Sequence, residues 1–175
     1  GQRQPLGALG WYYALASRID TAVALRAVEG WGGDEMVGFE RDGATCVRLA
    51  FTGDTLDDTA EMADALDQWA AGMPPGAAVI DRSADQVDVT ACDPGPTAAP
   101  APNSVLEAHA TLVARAILYT SFVTDGAAEE DARSAANALA LDPAVRGVVL
   151  TPGEPTSEQL AYLQEQVAAA LAAGS

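Results

Sequence analysis

A chain of 175 residues with a formal net charge of −16 is long enough for one domain, or one domain with a helical annex, and buries about 70% of its unfolded surface. The 25 acidic residues face nine basic ones, all arginine, so the chain has neither the basic groove that binds nucleic acid nor the polybasic stretch drawn to an anionic membrane. With 49% hydrophobic and 19% charged residues it reads as globular, and its longest apolar segment, 112–123, is interrupted by Arg115, Tyr119, Thr120 and Ser121 before it could insert into a bilayer. The alanine content and the use of arginine alone suit a GC-rich genome, with halophilic adaptation as the second explanation of the acidity. The absence of lysine removes Schiff-base and phosphate-loop lysine chemistry, and no cofactor is expected.

In chain order, apolar residues recur at helical spacing over 6–28, with Leu9, Tyr12, Ala16, Ile19, Val23 and Ala27 on one stripe. Asp20 interrupts this run and caps a second helix over 21–29, which ends at Gly30, where a left-handed residue is tolerated. Residues 35–41 and 44–52 read as strands joined by Asp42-Gly43, the dipeptide of a two-residue hairpin turn. Asp54 and Thr55 then offer N-cap oxygens to a helix that runs to about residue 71 and stops at Pro74-Pro75. Its expected buried stripe is Leu56, Ala60, Ala63, Leu66 and Ala70, and its acidic first turn suits the helix dipole. A second hairpin spans 77–81 and 86–92 and turns through Ser83, Ala84 and Asp85.

The fold class is therefore α+β, a small antiparallel sheet from two hairpins in the order α-ββ-α-ββ, followed by a helical part. The boundaries place an α+β module at 1–93, a proline-rich linker at 94–103 and a mostly helical part, expected to pack on the first, at 104–175. In that last part Ser104 and Glu107 form a capping box for a helix to about residue 123, and an alanine-rich helix covers 127–140. Residues 147–150 are a possible strand, and Thr156 with Gln159 opens a last helix that carries Leu160, Leu163, Val167 and Leu171 on one side. The opening GQRQP has no leader-like features, so an export signal is expected outside this stretch.

Strand parity puts Val47, Leu49 and Phe51 on one face and Cys46 on the other, while Val87 and Val89 face inward and Cys92 outward. Both sulfurs then share the less apolar face. A Cys46–Cys92 disulfide across neighbouring strands is the favoured reading, over two small buried hydrophobes, and loop closure would make it worth about 3 to 4 kcal/mol. Such a bond implies an oxidising compartment outside the cytosol.

Gly30, Trp31, Gly32, Gly33, Asp34 and Glu35 sit between a helix end and the first strand, and the glycine density calls for positive φ or close backbone approach. One reading is a small anion or peptide cradle with Trp31, Gly32, Gly33, Asp34 and Glu35 as its binding residues. The favoured one is a tight turn in which Trp31 plugs the core and Asp34 caps free amides. The spacing is neither a phosphate loop nor a dinucleotide fingerprint.

The stretch 6–95, with AVEGWGGDE, DGATCVRLAFTGDT, ALDQWA and CDPG, resembles a segment of uncharacterised exported or membrane-anchored actinobacterial proteins. Some of their relatives resemble degenerate zinc metallopeptidases that carry this module downstream, whereas the two histidines flanking a glutamate of that peptidase signature are missing here. The resemblance implies an envelope-associated, non-catalytic module and transfers no functional residue.

No catalytic set is spelled. The one histidine, His109, falls on a stripe with Val105, Leu112 and Ala116, as a satisfied, partly buried imidazole would. The Asp54, Asp57 and Asp58 cluster lacks the spacing of a calcium loop, and no metal site is expected. Three functions remain. The first is a non-catalytic binding or scaffold module of a secreted or envelope-anchored protein, with a protein partner or neighbouring domain. The second is a hydrolase that uses carboxylates, with Asp34 and Glu35 nominated. The third is a structural remnant that supports a missing peptidase-like domain and exposes an apolar patch.

Overall fold

The computed structural model describes residues 3–96 and 98–174, and the chain divides into two compact units, Gly1–Ser104 and Val105–Ser175. The first unit runs α1 (Gly7–Ala16), α2 (Thr21–Glu29), β1 (Trp31–Arg41), β2 (Ala44–Gly53), α3 (Leu56–Ala71), β3 (Ala78–Arg82) and β4 (Val87–Cys92). The two hairpins form one antiparallel sheet in the order β1-β2-β4-β3, because the second strands of the two hairpins pair with each other.

Local sequence explains most of these boundaries. Asp42 and Gly43 take φ of 53° and 80°, the pair of positive values that a twisted two-residue hairpin turn needs. The Asp20 carboxylate accepts from the Ala22 and Val23 amides to open α2. Thr55 and Asp58 close a reciprocal capping box at the start of α3, an arrangement worth about 1 kcal/mol.

One face of the sheet is covered by helices. Along β2 and β4, Leu49, Phe51, Val87 and Val89 are buried on that face, and Trp11 of α1 meets Phe51 edge to face with ring centroids 5.7 Å apart. Burial of each such side chain contributes about 1.5 to 3 kcal/mol. The helical stripes are rotated from the expected ones: α1 buries Trp11 and Leu15 beside Tyr12 and Ala16, while Leu9 is exposed. Likewise α3 buries Thr59, Met62 and Ala65 with Ala63 and Leu66, and leaves Leu56 at 63% exposure. The larger indole and thioether side chains fill the space above the sheet, which displaces the expected leucines from it.

Cys46 and Cys92 face each other directly across β2 and β4 and are joined in a disulfide, with Cα atoms 4.0 Å apart. They lie on the open face with Arg48 and Asp88, which form an ion pair at 3.5 Å. Cys46 is nevertheless only 1% exposed.

The proline-rich stretch returns to α1: Asn103 donates its amide N–H to Ser17 O and its side-chain Nδ2 to the carbonyls of Ala16 and Ile19. These are the acceptors that the end of a helix leaves unsatisfied.

The second unit is helical throughout its described elements, with α4 (Val105–Thr124), α5 (Glu129–Leu141), α6 (Pro143–Leu150) and α7 (Ser157–Gly174). The strand expected at 147–150 is instead the last turn of α6. Asp142 caps that helix through the Ala144 amide and Pro143 supplies its first residue, so the start signals upstream override a short apolar run. At α7 the expected box is present: Gln159 N donates to Thr156 Oγ1, and Thr156 N donates to Gln159 Oε1. Among the described residues no helix is long and apolar enough to cross a membrane.

Candidate binding pocket

Residues 31–35 of the glycine-rich stretch are the start of strand β1 and not a free turn, and Gly30 is the C-cap of α2. Gly30 has φ −88° and is not left-handed; its role is close approach. A Cβ at Gly30 would lie 2.1 Å from Asp58 Cγ, and one at Gly32 would lie 2.8 Å from the Gly53 carbonyl carbon, so these positions seat the start of β1 against the turn into α3. A register shift between Trp31 and Gly33 accommodates that contact.

Asp34 is a structural cap. Its carboxylate accepts from Leu6 N at 2.6 Å, Gly7 N at 3.0 Å and Trp31 Nε1 at 2.7 Å, and so supplies α1 with the N-terminal acceptor that its own sequence lacks. Trp31 is half-buried and does not plug the core as expected; its ring braces Asp34. Glu35 is exposed on the open sheet face and pairs with Arg3 at 3.2 Å. It borders a groove there that Asp88 and Arg48 also line. The five residues of the expected cradle therefore separate into a cap, its brace, two glycines and a surface ion pair.

An apolar pocket, open to solvent at its rim, lies on the opposite, helix-covered face. It measures about 330 Å³ and is bounded by α1, α3 and the inner sides of β1, β2 and β4. Its floor consists of buried core side chains, Trp11, Leu15, Leu49, Leu66 and Val89, while Leu6, Met36, Thr45, Met73 and Asp93 at the rim are half-buried or exposed. The volume falls at the small end of the roughly 300 to 1,000 Å³ typical of ligand pockets, and the mainly apolar wall with few polar groups is also typical of them.

The two lining tryptophans carry indole N–H groups that are sealed from the open space and lack partners. Among the described residues, the indole N–H of Trp11 and that of Trp69 are buried and find no acceptor. A buried donor left unpaired costs about 1 to 3 kcal/mol, and buried tryptophans ordinarily find an acceptor.

The cradle residues act on this pocket from outside it. Asp34 fixes the Leu6 amide, and the bridge between Gln4 and Met36 is closed by Met36 N to Gln4 O at 2.8 Å and Gln4 N to Met36 O at 3.1 Å. Leu6 and Met36 both form the rim, so the start of β1 holds the N-terminal side of the mouth. Sequence reasoning missed the pocket. The one legible signal was the pair Trp11 and Trp69, two indoles on helices that flank one sheet.

His109 is exposed, not partly buried, because α4 turns Ala108, Thr111, Ala114, Leu118 and Phe122 inward and leaves Val105 outside at 61% exposure. In α5 and α6, Asp142 caps α6 and also accepts from the Tyr162 hydroxyl at 2.8 Å, which holds its carboxyl below the usual range. The Tyr162 phenol is raised by the same bond.

No protein-family model, curated protein or solved structure matches the chain.

Proposed function

We propose that this chain is a non-catalytic binding module of an extracytoplasmic, envelope-associated protein, and that the apolar space beneath α1 and α3 is its binding site. The observation that carries this reading is the pocket itself, about 330 Å³ walled by side chains of the hydrophobic core. The pocket is open at its rim, and an apolar occupant would take its exposed apolar walls out of water. The engagement of Asp34 as a helix cap supports a non-catalytic role, since three donors already share its two oxygens. The Cys46–Cys92 disulfide supports a compartment outside the reducing cytosol.

The test uses methyl resonances of the disulfide-intact protein. Methyl octanoate or nonane at saturation should shift Leu15, Leu49 and Val89, which line the pocket, and leave Leu118 of the second unit in place. If neither compound moves the three lining residues, the pocket is not a binding site.

The partner or neighbouring-domain role is supported separately by α4, which exposes Val105, Leu106, Ile117 and Val123. Exposed apolar groups collected on one helix mark interaction surfaces. A photo-crosslinking residue at position 117 should give a discrete adduct in the native envelope, and monomer alone would count against a partner there.

A further inference from the structure

We propose that the pocket receives an apolar side chain from an extended peptide of a partner protein, which adds itself as a further strand along the free edge of β1. This rests on the pocket being the binding site and adds the class of its occupant.

The edge is open where it borders the pocket. β1 lies at one end of the sheet with β2 on one side, and on its other side Gln4 pairs with Met36 in an isolated antiparallel bridge. The Met36 amide and carbonyl therefore point away from β2, and the alternation of an antiparallel ladder turns those of Gly38 and Glu40 the same way. Among the described residues these groups meet no backbone partner on that side. An extended strand is the ligand whose own amides and carbonyls match such a row.

Gly38 joins the edge to the pocket. It shares a face of β1 with Met36 and stands directly opposite Val47, and both of those residues line the pocket. Its φ is not positive, and a Cβ there would meet nothing within 4 Å, so neither conformation nor crowding within the chain calls for a glycine. Inside a strand a glycine weakens pairing and marks close approach by another group. The residue of an added strand opposite Gly38 projects to the same face, and a large apolar side chain there passes over the bare Cα toward Met36 and Val47.

Charge sets the neighbouring position. Glu40 is exposed on the same face, and opposite charges across a strand pair attract, so the partner places arginine or lysine against it. Among the described lining residues Asp93 at the rim is the only charged one, and it favours the same sign. Antiparallel addition, the direction already set by Gln4, then reads in the partner as a basic residue, a spacer and a large apolar residue. A second copy of this chain does not supply it. Its charge of −16 opposes association, and with Met36 taken by Gln4, Gly38 of one β1 would face Gly38, Glu40 or Asp42 of the other.

The probe is the capped peptide TRVFVT, added to ¹⁵N-labelled protein with its disulfide intact. It should slow hydrogen exchange at the Gly38 and Glu40 amides and shift the Val47 and Leu49 methyls, leaving Leu118 of the second unit in place. Methylating the phenylalanine amide nitrogen removes the bond to the Gly38 carbonyl and should weaken binding about fivefold. The peptide TRVAVT should bind about tenfold more weakly, and TEVFVT about fivefold. Gly38→Val fills the gap without a clash and should weaken TRVFVT about tenfold. Binding that leaves the two amides unprotected, equal affinity for any of the three altered peptides, or unchanged affinity of Gly38→Val would each overturn the proposal. So would a dimer of the protein alone, seen in sedimentation, in which both amides are already protected. If methyl octanoate or nonane moves Leu15, Leu49 and Val89 and the peptide does not bind, the pocket keeps its role and this proposal falls. If none of the three binds, the binding reading falls with it.

Discussion

The two units bury apolar surface by opposite means. The sheet unit covers β2 and β4 with Trp11, Leu15, Met62 and Leu66, long or flat side chains that bridge a wide gap. In the helical unit the buried cluster of nine residues includes Ala114, Ala132, Ala135, Ala136 and Ala140, which let helix backbones approach closely. Small residues on facing helices leave little space between them, whereas indoles and thioethers laid over a twisted sheet fit it incompletely. The sheet unit is reinforced by a disulfide on its open face and a carboxylate cap on its first helix, and it keeps an open apolar pocket.

The largest break in that comparison should come from the staple. Replacing Cys46 and Cys92 together by alanine opens a 46-residue separation and should cost about 4 kcal/mol. Hydrogen exchange should show the loss in β2 and β4 and leave α5 protected; uniform acceleration across both units would mean that they do not differ in this way.

Next in size is Asp34→Ala, which strands the Leu6, Gly7 and Trp31 donors and should lower stability by about 2 to 3 kcal/mol in chemical denaturation. Asp34→Asn keeps an acceptor and should recover part of it. A loss within 0.5 kcal/mol would show that water serves these donors as well.

The same enlargement placed in each unit should have opposite signs. Ala135→Leu forces extra methyl groups into a closed alanine interface and should destabilise by about 1 to 3 kcal/mol. Ala14→Leu grows into the pocket, and should stabilise by about 1 kcal/mol while abolishing ligand binding. Two destabilisations of equal size would mean that the pocket wall is as tightly filled as the alanine cluster.

The smallest effect belongs to pH. The Asp142 carboxyl is lowered in the folded chain, first by the Tyr162 hydroxyl, so its contribution is present above the ordinary carboxylate value and is lost as pH falls through the lowered one. Tyr162 runs the other way: its raised phenol contributes below the ordinary value and the contribution is lost as pH rises through the raised one. Tyr162→Phe should therefore lower stability slightly at neutral pH and reduce the acid-side dependence below about pH 4. An unchanged acid limb in thermal melts would remove the bond from the account.

Elements whose signals lie within a few residues were legible. The Asp42-Gly43 turn, the Thr55 and Thr156 caps and the alternation along β2 and β4 each depend on neighbours in the chain, and strand parity was enough to put both sulfurs on one face. The misreadings have a common origin. Helix α4 is apolar on nearly every side, so periodicity offered two stripes, and the one with Thr111 and Ala114 was inside while the one with His109 was outside. The short run 147–150 suits strand and helix equally, and a cap and proline upstream decided it.

What the sequence by itself determined was every element but α6, the hairpin turns, most of the helix starts and the pairing of the two cysteines, because local propensity and side-chain parity act over short separations. Only the tertiary structure decided that Asp34 serves a helix 27 residues before it and that Trp11 and Trp69 share one cavity. Those outcomes depend on how far α1 and α3 stand from the sheet, a distance set by the summed fit of many side chains and written in no single stretch of chain.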